Sequence, residues 1–427
     1  MTSKRILITT FGSFGDLHPY MAIALELKAR GHQLVMATSE IYREKITSEG
    51  LGFHPVRPDL PPPEEAGPMI AKLMDARTGT EHLFTTLLMP TLRDSYEDLR
   101  VAVRGADLLV THMITFAGPI LARQTGIPWV STILAPISFF SAHELPVLPG
   151  APALAAFRHL PPATLQPLVR LAKRRVESWI TPLYELRAEL GLPRGAHPVF
   201  EGQHSPELVL ALFSSVLGAP QPDWPEHTRQ TGFCFYDRKD EARVAPKLME
   251  FLDSGEAPIV FTLGSSAVFD ARNFYRDSAE AARRLGRRAV LLIGHEDNLP
   301  ESLPAGVVAF DYAPFSEILP RAAAIVHQGG AGTTGQALRA GKPMLIMPYS
   351  HDQPDNGARV TRLGVGRTLP RHRYNATRAA AELGKLLNDA SYAAKAAEIG
   401  RRVQAEDGPK AACDAIEERL RASTAKA

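Results

Sequence analysis

Two cysteines, Cys234 and Cys413, are all that 427 residues offer, too few for a disulfide framework or a zinc cluster, so a reducing compartment is expected. Long apolar runs are missing too. None reaches the ~18 residues of a membrane span, and Ile6–Leu7–Ile8, which follows Lys4 and Arg5, is too short for a signal-peptide core. Nor is there an excess of one charge. The formal net charge is +2, without the strongly basic face that nucleic acid requires. The chain therefore reads as cytoplasmic, with no nucleic-acid partner and no transmembrane segment. The basic stretch Arg170–Arg175, beside Leu168, Leu171, Val176 and Trp179, reads as a solvated helix face, with peripheral membrane contact as the alternative.

Several catalytic devices are also absent. No Asp-x-Asp pair is present to hold a metal on a diphosphate, and no histidines stand at metal-ligand spacing with a third partner. There is no Gly-Lys-Ser/Thr ending of a phosphate loop and no Gly-x-Ser-x-Gly elbow. Neither a metal nor a cofactor is expected.

What is present is the composition of a globular enzyme, 45% apolar and 22% charged, on a chain long enough for two cores. Apolar, β-branched runs at Arg5–Thr10, Gln33–Thr38, Leu108–Thr111 and Trp129–Thr132 alternate with helical stretches at about Tyr20–Arg30 and Phe116–Thr125. Gly31 sits where a helix-ending glycine belongs. The alternation resumes with strands expected at Ile259–Leu263, Ala289–Ile293, Val307–Phe310, Ala324–His327 and Met344–Met347. Strands alternating with helices predict doubly wound parallel sheets. The spacing divides the chain into an N-terminal α/β domain over 1–215, a linker over 216–240, and a C-terminal α/β domain over 241–427 with a helical tail from Thr377. Between Ala135 and Pro206 the periodicity loosens, and only an amphipathic helix over Ala163–Leu190 stands out.

Four polar motifs come directly after strands. Gly12-Ser-Phe-Gly-Asp16-Leu-His18-Pro19 falls at the carboxyl edge of the first sheet, where ligands bind in such folds. It is not a dinucleotide fingerprint: the glycines stand three apart with no third, and no acidic residue ends the next strand. Asp16 taken alone also reads as a helix cap. His327-Gln-Gly-Gly330-Ala-Gly332-Thr333-Thr334 runs from a strand straight into a helix. Its glycines allow close approach of a ligand, and the free N–H groups at the helix start suit an anion such as phosphate. Pro348-Tyr-Ser-His351-Asp352-Gln353-Pro-Asp355-Asn356 offers carboxylate and amide groups suited to a polyhydroxyl ligand, although Asp352 reads equally as a cap. Gly264-Ser265-Ser266 would add donors to the same phosphates.

Together with Asp223-Trp-Pro225, Thr231-Gly-Phe233 and Tyr312-Ala-Pro314, these motifs resemble the GT-B glycosyltransferases of family 1. The likeness is greatest to the branch holding the sterol glucosyltransferases, the glycopeptide glycosyltransferases and the rhamnolipid rhamnosyltransferase B chain. The resemblance implies two Rossmann-like domains facing across a cleft, acceptor on the N-terminal one and nucleotide sugar on the other. It implies donor contacts from Gly264, Ser265, Ser266, Tyr312 (stacked on the base), His327, Gly330, Gly332, Thr333, Thr334, Asp352 and Gln353. Phe14, His18, Phe139 and His143 are the acceptor candidates, Ser141-Ala-His143 being similar to the rhamnosyltransferase. Asp16 stands where plant members carry a catalytic histidine, and His112 falls where their orienting aspartate would be, so the dyad is expected with its members exchanged. The alternative is a histidine that only lines a strand end. Gly335 stands where many members have a ribose-binding glutamate.

The implied reaction is an inverting, metal-independent hexosyl transfer from a nucleoside-diphosphate sugar (UDP-glucose first, dTDP-rhamnose or another dTDP-sugar second) to a hydroxyl of a lipophilic acceptor. A sugar-nucleotide epimerase and a non-catalytic nucleotide-sugar-binding protein are the alternatives.

Overall fold

A computed structural model of the chain describes residues 2–237 and 244–424. The end of the expected linker, 238–240, and residues 241–243 and 425–427 of the expected C-terminal domain lie outside the described residues.

Two parallel sheets form the frame. The first runs β3-β2-β1-β4-β5-β6-β7, with β1 at Arg5–Thr9, β2 at Gln33–Thr38, β3 at Gly52–Pro55, β4 at Leu108–His112, β5 at Trp129–Ile133, β6 at Val209–Ala211 and β7 at Thr228–Gln230. The second runs β10-β9-β8-β11-β12-β13, with β8 at Ile259–Thr262, β9 at Ala289–Leu292, β10 at Val307–Phe310, β11 at Ala324–His327, β12 at Met344–Ile346 and β13 at Gly366–Thr368. The central strands are mainly apolar because helices cover both faces, and β4, β5, β8, β9 and β11 are buried throughout, with polar residues such as His112 and His327 at their carboxyl ends. In each sheet the order reverses at one place, between β1 and β4 and between β8 and β11. Such a reversal opens a crevice at the strands' carboxyl ends. Asp16 and His112 flank the first crevice; Ser265 and His327 flank the second.

Four helices position the site and the contact between the halves: α1 (Phe14–Ala29), α2 (Ala331–Ala340), α3 (Gln353–Leu363) and α4 (Gly408–Thr424). The two halves are not separate in sequence as expected. β7 lies inside the stretch read as linker, and α4 crosses back to pack on α1, where Cys413, Ile416 and Leu420 join the core built on Ile23 and Leu27. Arg30 bonds Asp414 and Glu417 across that contact. The expected helix over Ala163–Leu190 is broken into Pro162–Glu177 and Thr181–Glu189 by a turn of 3₁₀ helix. Pro182 stands in the first turn of the second piece, where its missing N–H costs no helical hydrogen bond. α1 begins earlier than the apolar pattern suggested, at Phe14, because Ser13 caps it.

Candidate active site

Asp16 is neither the cap of α1 nor free of capping. Ser13 occupies the cap, and Asp16 closes a capping box as its third helical residue. Its Oδ2 accepts hydrogen bonds from the Ser13 backbone N–H at 2.8 Å and the Ser13 hydroxyl at 3.2 Å. That anchors one oxygen and leaves Oδ1 turned toward the cleft. Gly12 makes room: its φ is +129°, and a Cβ there would come within 2.3 Å of Asp16 Oδ2. About a third of the Asp16 side chain remains open to solvent. Burial of the carboxylate between the halves nevertheless raises its pKa to about 6, against the lowering effect of the Ser13 bonds.

His112, the last residue of β4, places Nε2 3.8 Å from Asp16 Oδ1. The expected dyad is therefore adjacent but not hydrogen-bonded, since such a bond needs about 3.2 Å. The ring is fixed by packing, edge-on to Tyr20 at 5.6 Å between centroids, and its Nδ1 has no partner. Burial lowers its pKa to about 3, a smaller opposing effect coming from the Phe11 backbone. His112 is thus neutral at physiological pH, and Asp16 is the group of this pair that titrates near neutrality.

Across the cleft, His327 ends β11 with no solvent exposure. Its Nδ1 accepts the Gly329 N–H at 3.0 Å, which fixes the proton on Nε2. Nε2 is buried without a partner. Burial lowers this pKa to about 3 also, so His327 is a neutral N–H donor and not a cation. Gly329, at φ +93°, lets the chain turn beneath Ile346 and the Gln353 backbone, where a Cβ would not fit. α2 then starts at Ala331 with Gly330 as its cap, leaving first-turn N–H groups unpaired within the helix. Thr333 is buried there, and the Thr334 hydroxyl is buried without a partner. Ser265 and Ser266 come after β8 on the adjoining turn, where the Gln328 amide packs over Gly264.

Asp352 sits at the cap position of α3 but makes no cap hydrogen bond to it. Instead its Oδ2 accepts from the Ala331 N–H of α2 at 3.1 Å and from Asn356 Nδ2 at 2.7 Å. Like Asp16, it keeps its other oxygen free. Burial and the facing charge of Asp16 raise its pKa to about 7. Gln353 is partly committed, its Oε1 accepting the Tyr349 N–H at 2.9 Å. His351 holds a left-handed backbone, φ +56°, unusual for a side-chain-bearing residue and typical of functional turns. Its Nδ1 lies 3.3 Å from the Thr80 hydroxyl of the other half.

The halves meet where α1 and α2 begin. A Cβ on Gly332 would lie 3.7 Å from the Gly15 Cα, so two helix N-termini converge on one spot. Tyr312 stands apart after β10, 69% exposed. Gly335 is occupied by a neighbour: a Cβ there would lie 2.8 Å from the Phe233 ring. That ring fills the space a glutamate would need. Gly335→Glu is therefore expected to destabilise the fold by about 1–3 kcal/mol, as overpacking does, without gain in donor affinity. A thermal melt alongside diphosphate titration checks this.

The acceptor candidates fare differently. Phe139 is core, stacked on Trp224 at 4.1 Å and packed against Phe213, so it cannot line a pocket. Phe14 and His18 stack on each other at 5.1 Å beside Tyr42 and Tyr236, and burial lowers the His18 pKa to about 3. His143 is exposed on the loop after Phe139. The cavity beside the Asp16 crevice has other walls, which no sequence motif marked: Phe11, Leu88, Leu92, Leu99, Ile114 and Phe116. Leu88 closes a π-helical turn, Leu83–Leu88, a distortion that recurs at functional sites. Only Ile114 and Phe116, next to His112, carried a positional hint. Among the described residues no group of three His, Cys, Asp or Glu could hold a metal ion, and no helix is long and apolar enough to cross a membrane.

The chain is similar to known proteins. Residues 6–97 match the glycosyltransferase family 28 N-terminal domain, and residues 287–418 match the C-terminal domain of erythromycin biosynthesis protein CIII-like proteins. The O-mycaminosyltylonolide 6-deoxyallosyltransferase of Streptomyces fradiae is 32% identical over 97% of both chains. A sterol 3-beta-glucosyltransferase of Leptosphaeria maculans is 28% identical over 96% of this chain, which spans only 28% of that protein's length. The crystal structure of the glycosyltransferase VinC in complex with dTDP covers 98% of both chains at a TM-score of 0.66 and 22% identity. With both domain types matched and a full-length relative above 30% identity, the chain belongs to the GT-B glycosyltransferases that join a family 28 N-terminal domain to an erythromycin-CIII-like C-terminal domain.

Proposed function

We propose that the enzyme transfers a hexose, with inversion, from a nucleoside-diphosphate sugar to a hydroxyl of a lipophilic small molecule. One observation carries the reading: two carboxylates, Asp16 and Asp352, face each other where α1 and α2 converge, each with one oxygen anchored and one free. Asp352, with what remains of Gln353, would hold sugar hydroxyls, and Asp16 would face the attacking hydroxyl. The acceptor oxygen bonds to the anomeric carbon as the bond from that carbon to the diphosphate oxygen breaks. The hydroxyl proton passes to Asp16 Oδ1, and the electron pair leaves with the diphosphate. A carboxylate cannot deprotonate an alcohol beforehand, so the proton moves as the bond forms. Developing charge on the leaving group would meet the first-turn N–H groups of α2, the His327 Nε2–H and the Thr333 and Thr334 hydroxyls. Tyr312 would stack on the base.

The apolar walls Phe11, Leu88 and Phe116 favour a lipophilic group, although the cavity they line, about 30 Å³, holds only a small part of an acceptor as it stands. The 6-deoxyallosyl group named for the Streptomyces relative and the dTDP in the VinC complex favour a dTDP-deoxyhexose over UDP-glucose as donor. A panel of UDP- and dTDP-sugars against macrolide, sterol, phenolic and hydroxy-fatty-acid acceptors tests the reading. Release of nucleoside diphosphate only when an acceptor is present supports it. Epimerised donor without acceptor would support an epimerase, and binding without turnover across the panel a non-catalytic protein.

No metal enters this scheme, because uncharged donors and helix starts meet the diphosphate. Turnover is expected to persist undiminished in excess EDTA. Full loss restored by magnesium or manganese would reopen the diphosphate site.

A further inference from the structure

The loop from Ser141 to Val147 is tied at both ends. At its start the Ser141 hydroxyl and the Ala142 N–H donate to Asp223 at 2.6 and 2.7 Å. At its end the Val147 N–H donates to Asp355 Oδ1 at 2.9 Å. Between them Glu144 receives Arg359 Nη1 at 2.6 Å and Arg362 Nη2 at 2.9 Å. Arg359 also bonds Asp355 at 2.6 Å and the Leu217 carbonyl at 3.2 Å. The Arg359 and Asp355 side chains are 2% and 1% exposed. Two carboxylates thus balance two guanidiniums: the Arg359–Asp355 pair is buried, so loss of either leaves an uncompensated charge, while Glu144 and Arg362 are about a third exposed.

The cluster joins two working parts. On one side the loop continues from β5 and the turn Pro136–Phe139, whose Ser138 hydroxyl contacts the Met113 sulfur beside His112. It thus leaves the carboxyl edge of the first sheet, next to the Asp16 crevice. On the other side Asp355 and Arg359 belong to α3, whose first turn carries Gln353, with Asp352 just before it and Asn356 holding Asp352 Oδ2. The first two turns of one helix therefore carry both the sugar candidate and the clamp on the loop.

We propose that Glu144, Asp355 and Arg359 are positioning residues that set the 141–147 loop against α3, fixing the acceptor's mouth relative to the bound sugar. The clamp's role rests on the reading that Asp352 serves the sugar and the N-terminal half the acceptor. Misplacement by an ångström can cost up to about a hundredfold in rate without touching the reacting groups. Loss of the clamp should fall on acceptor use and leave the diphosphate's own site intact.

Glu144→Ala and Glu144→Gln test this, Glu144 being the loop's own member of the cluster and about a third exposed. Three readouts are needed: amide exchange over 141–148, affinity for dTDP and UDP, and transfer against donor hydrolysis. Glu144→Ala is expected to lose protection at Val147, bind the diphosphate as the wild type does, and raise the acceptor KM about ten- to a hundredfold. Hydrolysis should gain relative to transfer, and Glu144→Gln should recover part of the loss through its remaining acceptor oxygen. Lost protection with unchanged acceptor KM and unchanged partition would overturn the clamp's positioning role. Unchanged protection would show that no clamp exists. If the wild type transfers to no acceptor, the functional reading fails, and the exchange result still reports on the clamp.

Discussion

Asp16→Asn is expected to lower turnover by roughly 10²–10⁴, the usual yield of a general base, with diphosphate affinity little changed. Asparagine keeps the carbonyl oxygen that accepts from Ser13, so α1 retains its capping box and only the proton acceptor is lost. The same substitution should raise stability. The folded carboxyl has a pKa of about 6 against 3.8 for the ordinary group. Between those values the folded state holds a proton that the unfolded chain has released. Stability therefore falls as pH rises through that window and stays lower above it. The neutral amide escapes this cost, so the Tm of Asp16→Asn should exceed the wild type's at pH 8 and match it more closely near pH 4. A dead but stabler variant is the signature of a carboxylate held for chemistry. An active Asp16→Asn, or one destabilised at pH 8, would remove Asp16 from the mechanism.

The same groups set the pH profile of kcat/KM. Activity should decline as pH falls through about 7 to 6, where Asp352 and Asp16 take up protons. An unperturbed histidine would titrate in this window, and His112 is the histidine beside Asp16. Burial removes that group from the window and burial of the carboxylates puts them into it. No residue pattern could have revealed the exchange, since it depends on how the two halves close over one another.

The legible parts of the fold share a property. β1, β2, β4, β8 and β11 are mainly apolar runs with most residues buried, and their ends were readable to within a residue or two. β6, β7 and β13 have only three residues each and gain their pairing from neighbours already in place. β7 is polar and lies at the sheet's edge, which is why it read as linker. At the site, the glycine turn and the aspartates were legible because each motif is local. Phe139 was misread because an aromatic residue past a strand end looks the same whether it faces cleft or core. The Glu144–Arg359 pair, 215 positions apart, exists only in the folded chain.

Replacement of His327 by phenylalanine is expected to weaken dTDP or UDP binding by about 1.5–3 kcal/mol, roughly 10- to 150-fold, the worth of a hydrogen bond to a charged group. The two ring nitrogens are unequally served. Nδ1 is satisfied by Gly329, yet Nε2–H is buried with no acceptor. A buried, unpaired donor costs stability, and such groups persist where a ligand supplies the acceptor. The first turn of α2 lies two residues past Gly329, so an anion bound at that helix start would fall beside the ring. Phenylalanine keeps a flat ring and removes both nitrogens, which relieves the unpaired Nε2–H but leaves the Gly329 N–H without its acceptor, so some loss in melting temperature is expected and affinity is compared on folded protein. Because the His327 pKa is about 3, its donor is present unchanged from pH 6 to 8. The affinity ratio of wild type to variant should therefore be flat across that range, even though the diphosphate itself titrates. A ratio that grew as pH fell would mean a charged imidazolium, and equal affinities would mean that the ring only shapes the turn.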